Sequence, residues 1–313
     1  MRFALDDAAM ALRDAVAGVL KTETVLLGGD PAAGRDTAWG KLRAVGAVGT
    51  LVPEDRGGLG LDENALVPLL DEIGYSGLAV PAVETIAVAA PLLASVPETF
   101  IAVRASPAEP IAFAEDASHV VLLNELRLYE QAELILEPCP SVDRTRPLAR
   151  LAQTPTGGLP LNGDADVAWR RGVLGTAAVL TGLARRMLDM TVRYVQRREQ
   201  FGVPVGSFQA VKHALADALV AVEFARPLVL AAGWAQATQS PDAAVLTSAA
   251  KARASDVARR VARTAIQCHG AMGYTTEYEL HVFAKRAWAL APAWGDAARH
   301  RALIAEQLGV TDG

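Results

Sequence analysis

The stretch VLGTAAVLTGLARRMLDMTVRYVQRREQFGVP, residues 173 to 204, decides the fold class. Its small and apolar side chains recur every three or four residues, a spacing that predicts one long amphipathic helix. They are Val173, Ala177, Leu180, Ala184, Met187, Thr191 and Tyr194. The pattern stops at Phe201 and Gly202, with Pro204 just beyond, which is typical of a helix end. The C-terminal half of the chain therefore begins with a long helix and a sharp turn.

Four more helices are predicted after this turn. Ser207 is expected to cap a second helix, whose apolar face holds Val211, Leu215, Ala218, Val222, Ala225 and Val229. Ser240, Pro241 and Asp242 predict the start of a third helix, which runs to about Cys268. Two further helices are predicted near residues 277–289 and 296–308. Residues 165–313 are therefore predicted to form an antiparallel helix bundle.

The preceding half divides into two regions. Residues 1–95 are predicted to form an α-helical domain, with helices near residues 8–20, 39–44 and 62–73. Residues 96–164 carry short apolar runs and are predicted to form a small antiparallel β domain; the runs are residues 100–103, 111–113, 120–123, 126–129 and 134–136. The predicted fold class is mainly α with a small β domain.

A glycine-rich segment, VPEDRGGLGL at residues 52–61, joins two of the first helices. Its glycines allow two interpretations, a phosphate-binding loop or a tight connection with positive φ angles. No strand precedes the segment and no Lys-Ser/Thr pair follows it, so the sequence favours the tight connection.

Composition excludes several function classes. The 313 residues are 51% hydrophobic with a formal net charge of -5, which argues against nucleic acid as a partner. Charges such as Arg185 and Arg186 interrupt the apolar stretches, so no membrane span is predicted. Cys139 and Cys268 lie far apart and have no metal-ligand spacing. The first residues lack the apolar core of a signal peptide, so we expect a cytoplasmic protein with reduced thiols.

Two stretches carry a resemblance to a known family. The first is Arg198-Glu199-Gln200-Phe201-Gly202-Val203-Pro204 with Phe208-Gln209, and the second runs from Gln267 to Tyr274 as QCHGAMGY. Taken alone, Arg198 could simply interact with a helix dipole, and the second stretch could be an ordinary helix end. Together and in this order they resemble the flavin-holding motifs of acyl-CoA dehydrogenases. The resemblance covers nearly the whole chain: an N-terminal helical domain, a middle β domain that is reduced here, and a C-terminal helix bundle.

The resemblance implies that FAD lies at an interface between subunits. The residues expected to reach a neighbouring subunit's FAD are Arg198, Gln200, Phe201, Phe208, Gln209, Gln267, Gly270 and Ala271. A guanidinium can form paired hydrogen bonds with a pyrophosphate, and a glycine backbone can approach the ADP part closely. Ala271 stands where the family usually has glycine, a departure that a methyl group should permit.

Other departures from the family pattern concern catalysis. Members hold their own flavin with a β-domain loop of the type Thr-Glu-x-x-x-Gly-Ser-Asp, and no such run exists between Pro97 and Asn162. Trp294 falls where most members carry the glutamate that removes the substrate's α-proton. The alternative base position of some members corresponds to Gly172, and the arginine that follows it there corresponds to Val173. We therefore expect no catalytic residue and no metal ligand in this chain.

The resulting hypothesis is a non-catalytic subunit that completes a partner's FAD site. The chain resembles the smaller subunit of the α2β2 acyl-CoA dehydrogenases that actinobacteria use in steroid side-chain degradation. The larger subunit would bind the acyl-CoA and supply the base, and an electron-transfer flavoprotein would accept the electrons. One alternative is a structural or regulatory protein of the same fold without flavin.

A second alternative is a homomeric dehydrogenase with an unusual base. Glu277 and Glu279 are candidates for a displaced base, although glutamates at a helix start also favour the helix dipole. His213 and His269 flank the flavin motifs, and either a titrating role or an ordinary hydrogen-bonded one is open to them. Tryptophans Trp234, Trp288 and Trp294 are expected to be packing residues, with Trp294 filling the vestigial site.

Overall fold

The computed structural model describes residues 5–22 and 34–310, and begins with three amphipathic helices. They are α1 (Asp7–Thr22), α2 (Arg35–Ala44) and α3 (Glu63–Ser76). The three helices predicted in this region are confirmed, although α2 begins four residues before the predicted start at Trp39. The carboxylate of Asp62 accepts a hydrogen bond from the Asn64 N–H at 2.8 Å and so caps α3.

A further helical segment in this region was not predicted. A π-helix spans Val83–Ala89 and continues directly into α4 (Ala90–Leu92). Every residue from 83 to 90 is buried, so the segment has no polar face and no amphipathic period to reveal it.

The glycine-rich connection at residues 52–61 is a tight turn, as predicted. Gly57 and Gly60 have φ angles of 82° and 61°, which glycine adopts without steric cost. A Cβ at Gly58 would lie 2.0 Å from the Val52 carbonyl oxygen, so the chain folds back closely on itself here.

Seven short strands follow and form two small sheets. They are β1 (Ile101–Arg104), β2 (Ile111–Ala112), β3 (His119–Leu122), β4 (Arg127–Glu130), β5 (Leu136–Cys139), β6 (Leu148–Leu151) and β7 (Leu159–Pro160). The strand orders are β1-β3-β4-β7 and β2-β6-β5.

The expectation of a purely antiparallel β unit was wrong, because β1 and β3 pair in parallel. The chain leaves β1, forms β2 in the other sheet, and returns to β3 in the same direction as β1. Parallel pairing requires such a crossover connection. Strands β6 and β7 lay outside the predicted runs.

The remaining elements form an antiparallel bundle of five helices in the described residues, as predicted. They are α5 (Ala165–Arg197), α6 (Gln209–Ala237), α7 (Ala243–His269), α8 (Leu280–Leu290) and α9 (Ala297–Gln307). Helix α5 is central and packs on α3, α6, α7 and α8. Gly182 allows α3 and α5 to touch, since a Cβ there would lie 1.9 Å from the Asp71 carbonyl oxygen. The fold is mainly α with a small β region.

Two predictions at helix starts need correction. Ser207 does not cap α6, because it belongs to a 3₁₀ turn and its hydroxyl donates to the Pro204 carbonyl at 2.7 Å. The residue before α6 is Phe208, which makes no side-chain cap. At α7, Ser240 does accept the Asp242 N–H at 3.2 Å, but the helix begins at Ala243.

A buried ionic cluster joins the three parts of the chain. Arg286 on α8 donates to Asp143 Oδ2 at 2.8 Å, to the Gly77 carbonyl at 2.6 Å, and to Thr145 Oγ1. Burial alone would raise the pKa of Asp143, but the Arg286 charge and the hydrogen bonds from Thr145 hold it below its usual value. The predicted domain boundaries at 95–96 and 164–165 stay predictions; they fall between α4 and β1 and at the start of α5.

Candidate functional site

The first predicted flavin motif forms an exposed hairpin at the C-terminal end of α5. Strands β8 (Glu199–Gln200) and β9 (Val203–Pro204) pair across a two-residue turn, Phe201 and Gly202. Both turn residues have positive φ, 56° and 79°, as a type I′ turn requires. Such a conformation is strained for a phenylalanine. The side chain of Phe201 is nevertheless 93% exposed, so packing within the described chain does not account for it.

The neighbouring motif residues also point away from the fold. Arg198 and Gln209 are exposed, and within the described residues the Arg198 guanidinium has no hydrogen-bond or ion-pair partner. The ring of Phe208 lies 6.3 Å from that of Phe201, edge to face, and 39% of Phe208 is exposed. Gln200 donates only to its neighbour, the Glu199 carbonyl, at 2.8 Å. This surface therefore combines a free cation with two accessible rings.

The second predicted flavin motif lies at the same end of the bundle. Gln267 is exposed on the last turn of α7, and Gly270 and Ala271 follow it, also exposed. Gly270 has φ 59° and ψ -133°, a backbone conformation that is essentially restricted to glycine. The Tyr194 hydroxyl of α5 donates to the His269 carbonyl at 3.3 Å, and the two rings stack at 4.2 Å. These contacts bring the ends of α5 and α7, and hence the two motifs, together.

The two flanking histidines differ. His213 is exposed, whereas His269 is buried and its Nδ1 bonds the Ala265 carbonyl at 2.8 Å. Burial lowers the pKa of His269, with this hydrogen bond acting in the opposite direction. His269 is therefore a packing residue that stacks on Tyr194.

The two predicted base positions meet in space. Gly172 lies on the first turns of α5, and Trp294 lies between α8 and α9, yet a Cβ at Gly172 would be 2.4 to 2.6 Å from three atoms of the indole. Trp294 is 3% exposed and has φ 59°. Only glycine at position 172 leaves room for this indole. Neither position carries a carboxylate, and the space where they converge is filled.

Several polar contacts, none predicted from the sequence, hold Trp294 in place. Its N–H donates to Glu109 Oε2 at 3.1 Å, and its carbonyl accepts from His300 Nε2 at 3.0 Å. Lys251, fully buried on α7, donates to the carbonyls of Ala291 and Gly295 at 2.8 and 2.9 Å. In the sequence, Lys251 is one of several charged residues of the alanine-rich helix α7, so its position there does not reveal that it is buried.

The charges around Trp294 perturb one another. Burial lowers the pKa of Lys251 to about 7, while Glu109 and Asp296 act to raise it. Burial and the neighbouring Lys251 charge lower the pKa of His300 to about 4, against the effect of its bond to Trp294. His300 is therefore neutral near pH 7.

A cavity of about 240 Å³ separates Trp294 from the β region. Apolar residues from β1, β2, β6 and the end of α8 form most of its wall, with Glu84, Glu109 and Arg146 as the charged members. The Glu84 and Arg146 side chains pair at 3.4 Å. The volume is below the roughly 300–1,000 Å³ of pockets that enclose a drug-sized ligand. FAD and an acyl-CoA could not both enter it.

Helices α6 and α7 share an outer surface that exposes both apolar side chains and arginines, here called the α6–α7 face. On α6 it exposes Leu219, Val220 and Phe224, the last by 72%. On α7 it exposes Arg253, Arg259, Arg260 and Arg263, of which Arg260 pairs with Asp217 of α6 at 3.5 Å. The face combines apolar side chains with four arginines, among which Asp217 and Asp256 also lie.

The described residues contain no group of three or more His, Cys, Asp or Glu side chains placed to hold a metal ion. Cys139 and Cys268 are free thiols, both half-buried. Among residues 5–22 and 34–310, no helix combines the length and the apolar composition needed to cross a bilayer.

Residues 168–309 match the family model for the acyl-CoA dehydrogenase C-terminal domain. Over 256 residues the chain is 34% identical to acyl-CoA dehydrogenase IpdE2 of Mycobacterium tuberculosis, covering 78% of this chain and 77% of that protein. Its structure superposes on one chain of the ChsE4-ChsE5 complex from Mycobacterium tuberculosis with a TM-score of 0.86 and 22% identity, covering 100% of this chain and 100% of that chain. A variant of the Tcur3481-Tcur3483 steroid ACAD gives a TM-score of 0.84 at 21% identity, with 98% and 99% coverage.

Proposed function

Since the chain belongs to the acyl-CoA dehydrogenase family, we propose that it is the non-catalytic subunit of a heteromeric, FAD-dependent acyl-CoA dehydrogenase. A larger subunit would bind the acyl-CoA and supply the base. This chain would complete the FAD site at their interface. The observation that carries the proposal is the contact between Gly172 and Trp294.

If residues 172 and 294 correspond to the family's two base positions, that contact leaves neither a base nor space for a substrate there. Two alternative base positions must reach the same substrate carbon, so they are expected to lie side by side, and residues 172 and 294 do. A positioned general base contributes about 10² to 10⁴ in rate. Here glycine and a buried indole stand at these positions, so the chain by itself would not abstract the α-proton.

The nearest alternative carboxylate is Glu109, which borders the cavity. Its Oε2 is occupied by the Trp294 N–H at 3.1 Å. Of the two displaced candidates, Glu277 is exposed and Glu279 lies 3.9 Å from Arg186, the ion pair expected of a half-buried surface residue. A homomeric dehydrogenase with an unusual base is therefore the weaker candidate.

The exposed motifs fit FAD that is held mainly by another subunit. From residue 172 to residue 198 is 26 residues, and at about 1.5 Å per helical residue this places Arg198 about 39 Å from the filled base positions. One FAD molecule could not contact both. Arg198 could bind the pyrophosphate, Phe201 and Phe208 could cover an apolar part, and Gln267 and Gly270 could approach the ADP portion.

When bound, FAD would accept as hydride the β-hydrogen of the thioester, while the larger subunit's base takes the α-proton. The contribution of this chain would be binding and orientation through Arg198, Gln200, Phe201, Phe208, Gln209, Gln267, Gly270 and Ala271. An electron-transfer flavoprotein would be the acceptor that reoxidises the flavin.

The α6–α7 face supports a partner that differs from this chain. In a two-fold contact between identical chains the same patch meets itself. The four arginines of α7 would then lie near four more, with Asp217 and Asp256 of each copy offsetting only part of that charge. An acidic face on a larger subunit would avoid that repulsion and cover Val220 and Phe224. Two structures that share this fold are named as a ChsE4-ChsE5 complex and as a Tcur3481-Tcur3483 steroid ACAD. An α2β2 assembly and a CoA ester of a steroid side chain as substrate belong to the proposal for this chain.

Flavin content tests the proposal. The chain would be purified alone and together with a larger acyl-CoA dehydrogenase chain co-expressed with it, and the visible spectrum of each preparation would be recorded. We expect no flavin in the single chain and about one FAD per pair of subunits in the complex. Arg198→Ala should lower the FAD content of the complex, whereas Arg197→Ala, its exposed neighbour on α5, should not.

The other results separate the rival functions. A complex that forms but stays colourless would indicate a structural or regulatory protein without flavin. A single chain that is yellow and is bleached by an acyl-CoA would indicate a homomeric enzyme. Equal FAD content in the two arginine variants would remove Arg198 from the flavin site.

A further inference from the structure

Lys251 is a fully buried lysine that makes three hydrogen bonds from its ammonium group. Nζ donates to the Ala291 carbonyl at 2.8 Å, to the Gly295 carbonyl at 2.9 Å and to Ser255 Oγ at 3.0 Å. Its relative exposure is 0%. A buried charge is costly unless its hydrogen-bonding groups are satisfied, and here each of the three donors has an acceptor. Lys251 is thus bound in a defined position.

Two of these acceptors belong to the turn that carries Trp294. The turn leaves α8 at Ala291 and reaches α9 after Gly295, and the two carbonyls flank the tryptophan. Ser255, one helical turn after Lys251, also donates to the Ala291 carbonyl at 3.3 Å. The ammonium therefore ties both ends of this turn to α7.

The turn needs such a restraint because its central residue is strained. Trp294 has φ 59°, a left-handed conformation that costs a bulky residue about 1–3 kcal/mol and persists only where the surroundings impose it. The same conformation directs the indole onto Gly172, against the first turns of α5. Glu109 and His300 bind the Trp294 backbone from two other sides.

We propose that Lys251 is the positioning residue that keeps the indole of Trp294 seated on Gly172. By holding the carbonyls of Ala291 and Gly295, it fixes the turn in the conformation that closes the space beside α5. This role concerns the packing of the chain itself and holds whether or not the flavin role does. The bonds from Lys251 to these two carbonyls would also have to break before an acyl chain could enter this space.

The fluorescence of Trp294 tests the proposal on the full chain. The chain has five tryptophans, so subtracting the spectrum of Trp294→Phe from that of the unmodified chain gives the emission of Trp294. We expect this emission to be blue-shifted and protected from acrylamide. In Lys251→Met it should shift to the red, and its acrylamide quenching should rise several-fold. The same lysine substitution made in the Trp294→Phe background should leave the spectrum unchanged.

A matched control separates positioning from general loss of stability. Val261→Ala removes a buried side chain from the same helix without touching the turn. It should lower stability and leave the Trp294 emission where it was. If Lys251→Met does not fold, Ser255→Ala provides a milder test, since it removes one acceptor of the ammonium and one bond to Ala291.

Two results would overturn the proposal. One is a folded Lys251→Met, or Ser255→Ala where it stands in for it, in which the emission and quenching of Trp294 are unchanged. The other is a red shift in Val261→Ala as large as that in the lysine variant, because the indole would then respond to any loosening of the bundle.

Discussion

Replacing Gly172 by alanine should destabilise the chain, although alanine is the better helix former. Glycine in a helix interior costs about 1 kcal/mol relative to alanine. A steric clash with the indole of Trp294 opposes that gain, because three atoms of the ring would lie 2.4, 2.5 and 2.6 Å from the new Cβ. Favourable carbon–carbon contacts lie at about 3.5–4.0 Å, so the ring would have to move by about 1 Å. Overpacking of this kind costs about 1–3 kcal/mol, and we expect a net loss of up to about 2 kcal/mol.

Without the indole, Gly172→Ala should stabilise the chain instead of destabilising it. In a Trp294→Leu background the clash is relieved, and Gly172→Ala should raise the free energy of unfolding by up to about 1 kcal/mol. The difference between the two backgrounds, about 1–3 kcal/mol, measures the contact between the two positions. Urea denaturation followed by circular dichroism gives all four free energies of unfolding in one cycle.

A second glycine provides the control for helix propensity. Gly18 lies on α1, is exposed, and would have no atom within 4 Å of an added Cβ. Gly18→Ala should therefore stabilise the chain by about 0.5–1 kcal/mol. If Gly172→Ala stabilises the chain as Gly18→Ala does, the indole does not pack on Gly172. The conclusion that Trp294 fills the space beside this residue would then be wrong.

Two further predictions concern buried charges. The pKa of His300 lies near 4 in the folded chain and near 6.5 when unfolded, so the unfolded state binds the extra proton between these values. Stability should therefore fall on acidification from pH 6.5 to about 4, by up to about 1.4 kcal/mol per pH unit. His300→Gln keeps a donor for the Trp294 carbonyl without this titration, and urea denaturation across that range should show a shallower slope; an unchanged slope would contradict the assignment. Arg286→Met leaves the Asp143 carboxylate buried and unpaired, and should lower the free energy of unfolding by about 3–5 kcal/mol. Arg299→Met, at an exposed position of α9, should change it by no more than about 0.5 kcal/mol, and similar values for the two variants would show that the ionic cluster does not hold the parts together.

The helices could be predicted because their side chains repeat with a helical period. Their caps were predicted less well, since Ser207 was expected to cap a helix and caps none, and none of the three aspartates that do was predicted as a cap. Asp62, Asp164 and Asp296 each accept a backbone N–H in the first turn of a helix. The hairpin at Phe201 could not be predicted, because two-residue strands are too short to show a period. The parallel pairing of β1 and β3 was missed because the alternation within a strand says nothing about the direction of its neighbour.

Some residues of the candidate site could likewise be predicted from the sequence and others could not. The motifs from Arg198 and from Gln267 could be found because their residues are close together in sequence. Lys251, Glu109 and His300 come from three distant segments and meet only around Trp294. Their individual positions carry no pattern, and a lysine among the alanines of α7 is equally compatible with an exposed position. Only the folded chain shows that this lysine is fully buried.

The two ends of α5 differ in how well this chain alone satisfies them. The end near Gly172 is tightly packed, and the end near Arg198 is exposed and strained. Around Gly172 the space is filled, and a buried ammonium bonds two carbonyls of the turn that carries Trp294 and the Ser255 hydroxyl of α7. Around Arg198 a strained phenylalanine is 93% exposed beside an unpaired guanidinium. Within one chain, exposure and strain at this end bring no stability, because they bury no apolar surface and satisfy no polar group. They would become favourable if a second surface with an anionic and an apolar part covered them, and a flavin held by another subunit, as proposed, would present such a surface.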